Sequence, residues 1–392
     1  HEPPAPDSPE RLAYIGRLLV GPLIGTFLAV PALALLVWSN RLFTLIPSSI
    51  LEPLAQSDSA LARLAGTLAA EISTPTGLIL AITGVLALAY ILLEANRSSR
   101  VERERLFVAV TLMFFSMLFW AFFEQAGSSV NNFTDRNVDR VFEERVITEA
   151  EIGTTLELTL SQEQLGYHNG DELITLNVLD KLRADRQLEV RWLVDAEDVG
   201  MGVGGSVIPA STFQSANPIF ILLLGLPLSA LWLFLGSRGA EPSTPVKFSL
   251  GLLQLGMGFA VLWYGATTHD PRGMVSISFL LLGYLLHTTG ELCLSPVGLS
   301  MITKLSPARL VSTMMGAWFL ATSFSSYLSA IIAMFTGVED HGGGDPGYVP
   351  PPIETVMLYG SVFGQIAIAA IAASIVLLAL SPLLKRGMHE AA

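Results

Sequence analysis

The chain has 392 residues, 51% of them hydrophobic and only 14% charged, with a mean hydropathy of +0.55. Soluble domains carry about 25% charged residues, so this balance weighs against a water-soluble enzyme or a disordered chain, and a net charge of −12 weighs against a nucleic-acid partner. The single cysteine, Cys293, excludes an intrachain disulfide and a cysteine-based zinc cluster, which leaves an integral membrane protein with several spans.

The chain opens His1-Glu2-Pro3-Pro4, with neither a Met nor a secretory leader, and residues 1–17 read as a cytoplasmic linker. Apolar stretches long enough for a bilayer then lie near 18–38, 76–94, 106–126, 217–236, 248–268, 274–298, 309–337 and 355–384. None alternates with a two-residue period, so all are expected as helices. Pro22, Pro31, Pro227 and Pro296 are expected to kink spans rather than end them. Arg97, Arg100, Arg103 and Arg105 fall on the same side as Arg238 and Lys247, Lys304 and Arg309, and Lys385 and Arg386. The opposite short connections hold only Arg41, Arg63 and Arg272. The positive-inside rule therefore places 95–105, 237–247, 299–309 and the tail 385–392 in the cytoplasm.

One connection is long. Residues 127–215 hold about half of the acidic residues and form an extracytoplasmic insert by this topology. TTLELTL at 154–160 and LEVRWLV at 188–194 alternate as strands do, and DELITLNVLDKLRADRQ between them reads as a helix, so the insert is expected to be a small mixed α/β unit. It is either a solvated spacer or a docking and substrate-gathering domain. The loop 337–354 holds His341 and three acids, but at no ligand spacing, so no metal is expected there.

A carboxylate inside a bilayer costs at least about 2.5 kcal/mol and is a functional candidate by default. Glu291 lies more than two helical turns from either end of its span. It can bind an ammonium group or carry a proton; the alternative is a neutral acid bonded to a backbone carbonyl. His287 is four residues earlier, on the same helical face, and can equally bond a neighbouring carbonyl. Glu124 closes the run LFVAVTLMFFSMLFWAFFE, roughly 28 Å from Arg105 at a helical rise. It is interfacial if the span exits there and deeper if SSVNNF continues the helix. Asn217 is a helix cap or a substrate-facing amide, and Trp318 is a pocket wall or lipid-facing bulk. His287 and Gln125, the neighbour of Glu124, are accessory candidates.

Three blocks carry a resemblance: FWAFFEQAGSSVNNFTDR at 119–136, IPASTFQSANPIFILLLGLPLSALW at 208–232 and GELCLSPVGLSMITKLSPARLVSTMMGAWFLATSFSSYLSA at 290–330. Together they resemble the proton-dependent oligopeptide transporter family of the major facilitator superfamily. The third block is the most specific, because its glutamate, SPVGLS, Lys-x-x-Pro turn and tryptophan keep their order. The resemblance covers most of 106–384 apart from the insert. It implies an all-α membrane protein: a C-terminal six-helix bundle, preceded by an extra transmembrane pair at 18–94. The seventh core helix then falls in 95–126 and helices eight to twelve in 216–384. The family's E-x-x-E-R signature is missing, since ERER at 102–105 lies in a loop. A further six-helix half is therefore expected before His1.

The same resemblance assigns roles. Glu291 matches the acid facing the peptide ammonium, and Glu124 matches the seventh-helix acid of proton coupling, with Glu291 sharing that task. Asn217 and Trp318 match substrate-contacting positions. The implied function is proton-driven import of di- and tripeptides by alternating access in a bacterial inner membrane, with protons as coupling ion and no other cofactor. The implied partners are peptide, proton, bilayer and the first half of the same protein. A sensor that binds a partner through the insert, and a family member carrying another solute, remain as alternatives. An intramembrane enzyme is disfavoured because no H-E-x-x-H or G-x-S-x-G motif is present.

Overall fold

The computed structural model describes residues 10–40, 42, 44–55, 57, 59–335 and 350–389. The chain divides into two compact units, 1–92 and 93–392. The first unit contains α1 (Glu10–Ser39), the short α2 (Ser48–Ala55), α3 (Ala60–Ser73) and most of α4 (Pro75–Arg97). α2 and α3, which no apolar stretch announces, fill the connection between the first two expected spans. Ser73 fixes that connection: its Oγ accepts from Ile46 N at 2.8 Å, and its carbonyl accepts from Leu45 N at 2.8 Å.

The second unit begins with α5 (Arg100–Phe123), whose start is closed by a capping box between Ser99 and Glu102. After Phe123 the helix tightens into a 3₁₀ turn, Glu124–Gly127, and resumes as α6 (Ser129–Asn137). The span expected at 106–126 is thus part of a helical run of 38 residues, Arg100–Asn137. Then follow the insert, α8 (Ala216–Ser237), α9 (Thr244–Thr267), α10 (Ile277–Leu305), α11 (Val311–Met334) and α12 (Pro352–Met388); α7 belongs to the insert. α8 and α10 continue past Pro227 and Pro296, which do not end them. Among the described residues, seven helical runs are long and apolar enough to cross a membrane, and α1 contributes a shorter apolar stretch, Leu23–Ser39. The chain is an integral membrane protein.

Small residues decide how closely the helices pack. A Cβ on Gly251 of α9 would lie 2.8 Å from the Gly290 carbonyl of α10, and a Cβ on Gly290 would lie 2.7 Å from the Gly251 carbonyl. The two backbones touch, which only glycine allows. On its other side α9 packs on α12, where Gly256 meets Ile371 and Gly364 meets the Trp263 ring. Ser249 and Ser374 bond across that crossing at 3.1 Å.

The insert hangs from the bundle on short strands. β1 (Val138–Asp139) runs parallel to β10 (Val275–Ser276), just before α10. β2 (Val141–Phe142) pairs with β9 (Ser206–Val207), and β3 (Arg145–Val146) with β8 (Gly202–Val203), both antiparallel. The alternating segments form β4 (Thr155–Thr159) and β7 (Glu189–Leu193), an antiparallel pair with Leu156 opposite Trp192. β5 (His168–Asn169) and β6 (Glu172–Leu173) make a hairpin, and α7 (Leu176–Ala184) packs Leu179 against Trp192, Ile174 and Ile147. Every second residue of β4 and β7 faces this apolar core, which is why their alternation is visible in the sequence.

Two side chains root the insert. Asn137 Nδ2 donates to the carbonyls of Gly273 (3.1 Å) and Pro352 (2.8 Å), and its Oδ1 accepts from Thr355 Oγ1 at 3.0 Å. Arg140 is buried and donates to the Ile208 carbonyl at 2.6 Å and to Asp135 at 2.9 Å. Burial pulls its guanidinium below the ordinary arginine value, partly offset by Asp135.

Candidate functional site

The structure brings Asn217 and Glu291 together. α8 begins at Ala216 with Ser215 as its cap, so Asn217 is inside the first turn and is not the cap. Its amide points to α10, where Nδ2 donates to Glu291 Oε2 at 2.9 Å and to Thr288 Oγ1 at 3.2 Å. Thr288 in turn donates to the Tyr284 carbonyl at 2.7 Å, which fixes its hydroxyl one helical turn before Glu291. Glu291 is half-buried, and Oε1 carries no hydrogen bond among the described residues. A carboxylate held by one oxygen, with the other oxygen free, can accept an ammonium or a proton. Thr288 was not anticipated; its spacing of three residues from Glu291 is the signal that marks it.

Glu124 lies on the 3₁₀ turn between α5 and α6. Its Oε1 accepts from Ser326 Oγ of α11 at 3.2 Å. The helix continues 13 residues beyond it, to Asn137, a further roughly 20 Å. Of the two sequence alternatives for this acid, continuation through SSVNNF is the one observed.

The accessory candidates turn away from both acids. Gln125 is 0% exposed. Its Nε2 donates to the Ser329 carbonyl and Ser329 Oγ, both at 2.9 Å, and its Oε1 accepts from Ser129 Oγ at 2.6 Å. Gln125 therefore ties the 3₁₀ turn to α11 and offers nothing to a ligand. His287 does not share the surroundings of Glu291. It is 2% exposed, lies tilted against the Phe259 ring with centroids 4.5 Å apart, meets Gly258 of α9 and bonds the Leu255 backbone. Trp318 is 8% exposed; its ring fills the space over Gly298, 2.6 Å from where a Cβ would sit, beside Phe248. It is therefore not lipid-facing bulk. Gly298 is seven residues, two helical turns, beyond Glu291, so Trp318 packs on α10 below the acid. His341 and its neighbours lie outside the described residues.

The chain is similar to known proteins over part or most of its length. The pattern of the POT family (PTR2) matches residues 185–344. The dipeptide and tripeptide permease B of Aeromonas hydrophila is 34% identical over 192 residues, covering 48% of this chain and 36% of that protein. The permease of the same name from Edwardsiella piscicida is 27% identical over 320 residues, covering 80% of this chain and 50% of that protein. The chain thus spans a half or less of the length of these curated relatives. A crystal structure of a peptide transporter POT in complex with sulfate superposes with a TM-score of 0.55 at 23% identity, over 94% of this chain and 54% of that one, which is a likeness of fold. The chain is thus similar to the POT family over residues 185–344, the stretch that holds the glutamate, the SPVGLS run and the tryptophan.

Proposed function

We propose that this chain supplies the C-terminal half of a proton-coupled importer of di- and tripeptides. The peptide binds between this bundle and a further six-helix half, its ammonium on the free oxygen of Glu291 and its backbone beside the Asn217 amide. Trp318 shapes the floor of the site through its packing on Gly298. A proton taken up at Glu124 or Glu291 discharges a carboxylate that otherwise pairs across the halves. The two halves then rock to expose the site to the other side of the membrane, as alternating access around a midplane site requires.

The single observation that carries this reading is the Asn217–Glu291 pair, a carboxylate oriented by an amide from a second span at 2.9 Å. An acid in that position favours an amine-bearing solute over an anion such as nitrate, which it would repel. The relatives named as dipeptide and tripeptide permeases support the same solute class. The test is uptake by the full-length protein in liposomes under an inward proton gradient. Labelled dialanine accumulates with the wild type and not with Glu291→Gln, while N-acetyl-dialanine, which lacks the ammonium, does not compete. Wild-type accumulation by Glu291→Gln overturns the assignment. Binding of a partner through the insert with no dialanine counterflow would establish a sensor instead.

A further inference from the structure

The seam between the insert and the connection from α9 to α10 is built around one guanidinium. Arg272 Nε donates to Asp270 Oδ2 at 2.9 Å. Its Nη1 donates to the Glu163 backbone carbonyl at 2.7 Å and stands 3.4 Å from the Glu163 carboxylate. Its Cζ lies 5.3 Å from the centre of the Tyr167 ring. Glu163 is only 6% exposed. It sits on a turn capped by Ser161, whose Oγ accepts from Glu163 N at 3.2 Å. Across from it is β8, where a Cβ on Gly202 would lie 2.9 Å from the Glu163 carboxylate and 3.0 Å from Glu143 Cβ.

Charge does not balance at this seam. The guanidinium nearest Glu163 lies closer to Asp270 than to Glu163. The groups that act on Glu163 from the strands beside it, Asp139 and Glu143, are both acidic. The next cation, Arg140, is turned to Asp135 and the Ile208 carbonyl. Burial is the largest influence and pushes the Glu163 carboxyl above the usual range; Arg272 offsets part of this, and Asp139 and Glu143 add to it. A carboxyl raised in the docked state stabilises docking most when protonated. That stability is fully present below the ordinary glutamate range and is lost as pH rises through the raised value. A cleft of about 470 Å³ lined by Tyr167, Asp195, Glu197, Arg272 and Ile353 opens beside the seam and reaches Arg272, the counter-ion of Glu163.

We propose that Glu163 is a proton-operated latch: proton uptake at this carboxyl tightens the insert against the α9–α10 connection, and proton release loosens it. The latch gives the insert-bearing mouth of the protein its own response to pH, separate from Glu124 and Glu291. Its bearing on uptake rests on the transport reading above, whereas the latch itself does not.

Hydrogen exchange of the full-length protein in detergent tests it, read on the amides of 162–167 and 270–275 and corrected for the intrinsic pH dependence of exchange. Between about pH 7.5 and about pH 4.5, near the ordinary glutamate value, wild-type protection at these amides rises severalfold, while the interior of α9 and α12 does not change. In Glu163→Gln, protection is high at both pH values. In Arg272→Gln, which leaves a charged Glu163 without its counter-ion, protection is low at the higher pH and recovers at the lower. The Arg272 variant keeps the test decisive if Glu163→Gln does not fold. Wild-type protection that stays level or falls on acidification overturns the latch, as does a full pH response in Glu163→Gln or no recovery in Arg272→Gln. Glu291→Gln, measured in parallel for uptake, separates failure of the latch from failure of the transport reading.

Discussion

Asn217 Nδ2 holds Glu291 Oε2 at 2.9 Å and Thr288 Oγ1 at 3.2 Å, so one nitrogen joins the first turn of α8 to two positions one turn apart on α10. A hydrogen bond to a charged group contributes about 1.5–3 kcal/mol. Asn217→Ala in the full-length protein is therefore expected to raise the dialanine KM by about tenfold or more. Thr288→Val, which removes the other acceptor, should have a smaller effect. A KM for Asn217→Ala equal to wild type would show that the amide does not orient the carboxylate.

Gln125 is expected to matter for stability rather than for binding. Replacing it by Leu removes its buried hydrogen bonds to Ser129 and Ser329. Each such bond contributes about 0.5–1.5 kcal/mol. The thermal midpoint of detergent-solubilised Gln125→Leu should fall by about 4 °C or more, and dialanine affinity at low temperature should hold. Ser326→Ala, which removes one exposed hydroxyl from Glu124, should move the midpoint little.

Two glycines of the bundle predict opposite signs. A Cβ at Gly290 would press on the Gly251 carbonyl at 2.7 Å, so Gly290→Ala must force α9 and α10 apart at a cost of about 1–3 kcal/mol. Gly316 in α11 has nothing within 4 Å of the added Cβ. Gly316→Ala should stabilise by about 0.5–1 kcal/mol through helix propensity. Thermal unfolding of the two variants side by side checks the pair. Equal effects would mean that the α9–α10 contact is looser than drawn.

The spans and the strand pair could be read in advance because each follows a local period. Twenty apolar residues need no partner to be recognised as a helix, and TTLELTL and LEVRWLV show their buried side chains residue by residue. What could not be read depends on distant partners. Gln125 meets Ser329, 204 residues away, and no spacing announces that bond. His287 and Glu291 are one turn apart, yet His287 is drawn into the space left by Gly258 of α9. The interruption at Glu124–Gly127 was equally silent, because it contains no proline; it is held by Gln125 and Ser129 rather than by a breaker residue. The Asn217–Glu291 pair was half visible: both residues stood out, but only the fold decides that the amide faces the acid.

The pairing of β2 with β9 has a consequence for the coding sequence. Val141 lies opposite Val207 and Phe142 opposite Ser206, so the two ends of the segment between them are about 5 Å apart. A two-residue turn such as Asn-Gly can bridge that distance in an antiparallel pair. Codons 143–205 therefore form an in-frame cassette. It can be cut out, or replaced by a reporter whose termini are close together, while Asn137, Arg140 and Ile208 remain on the retained side.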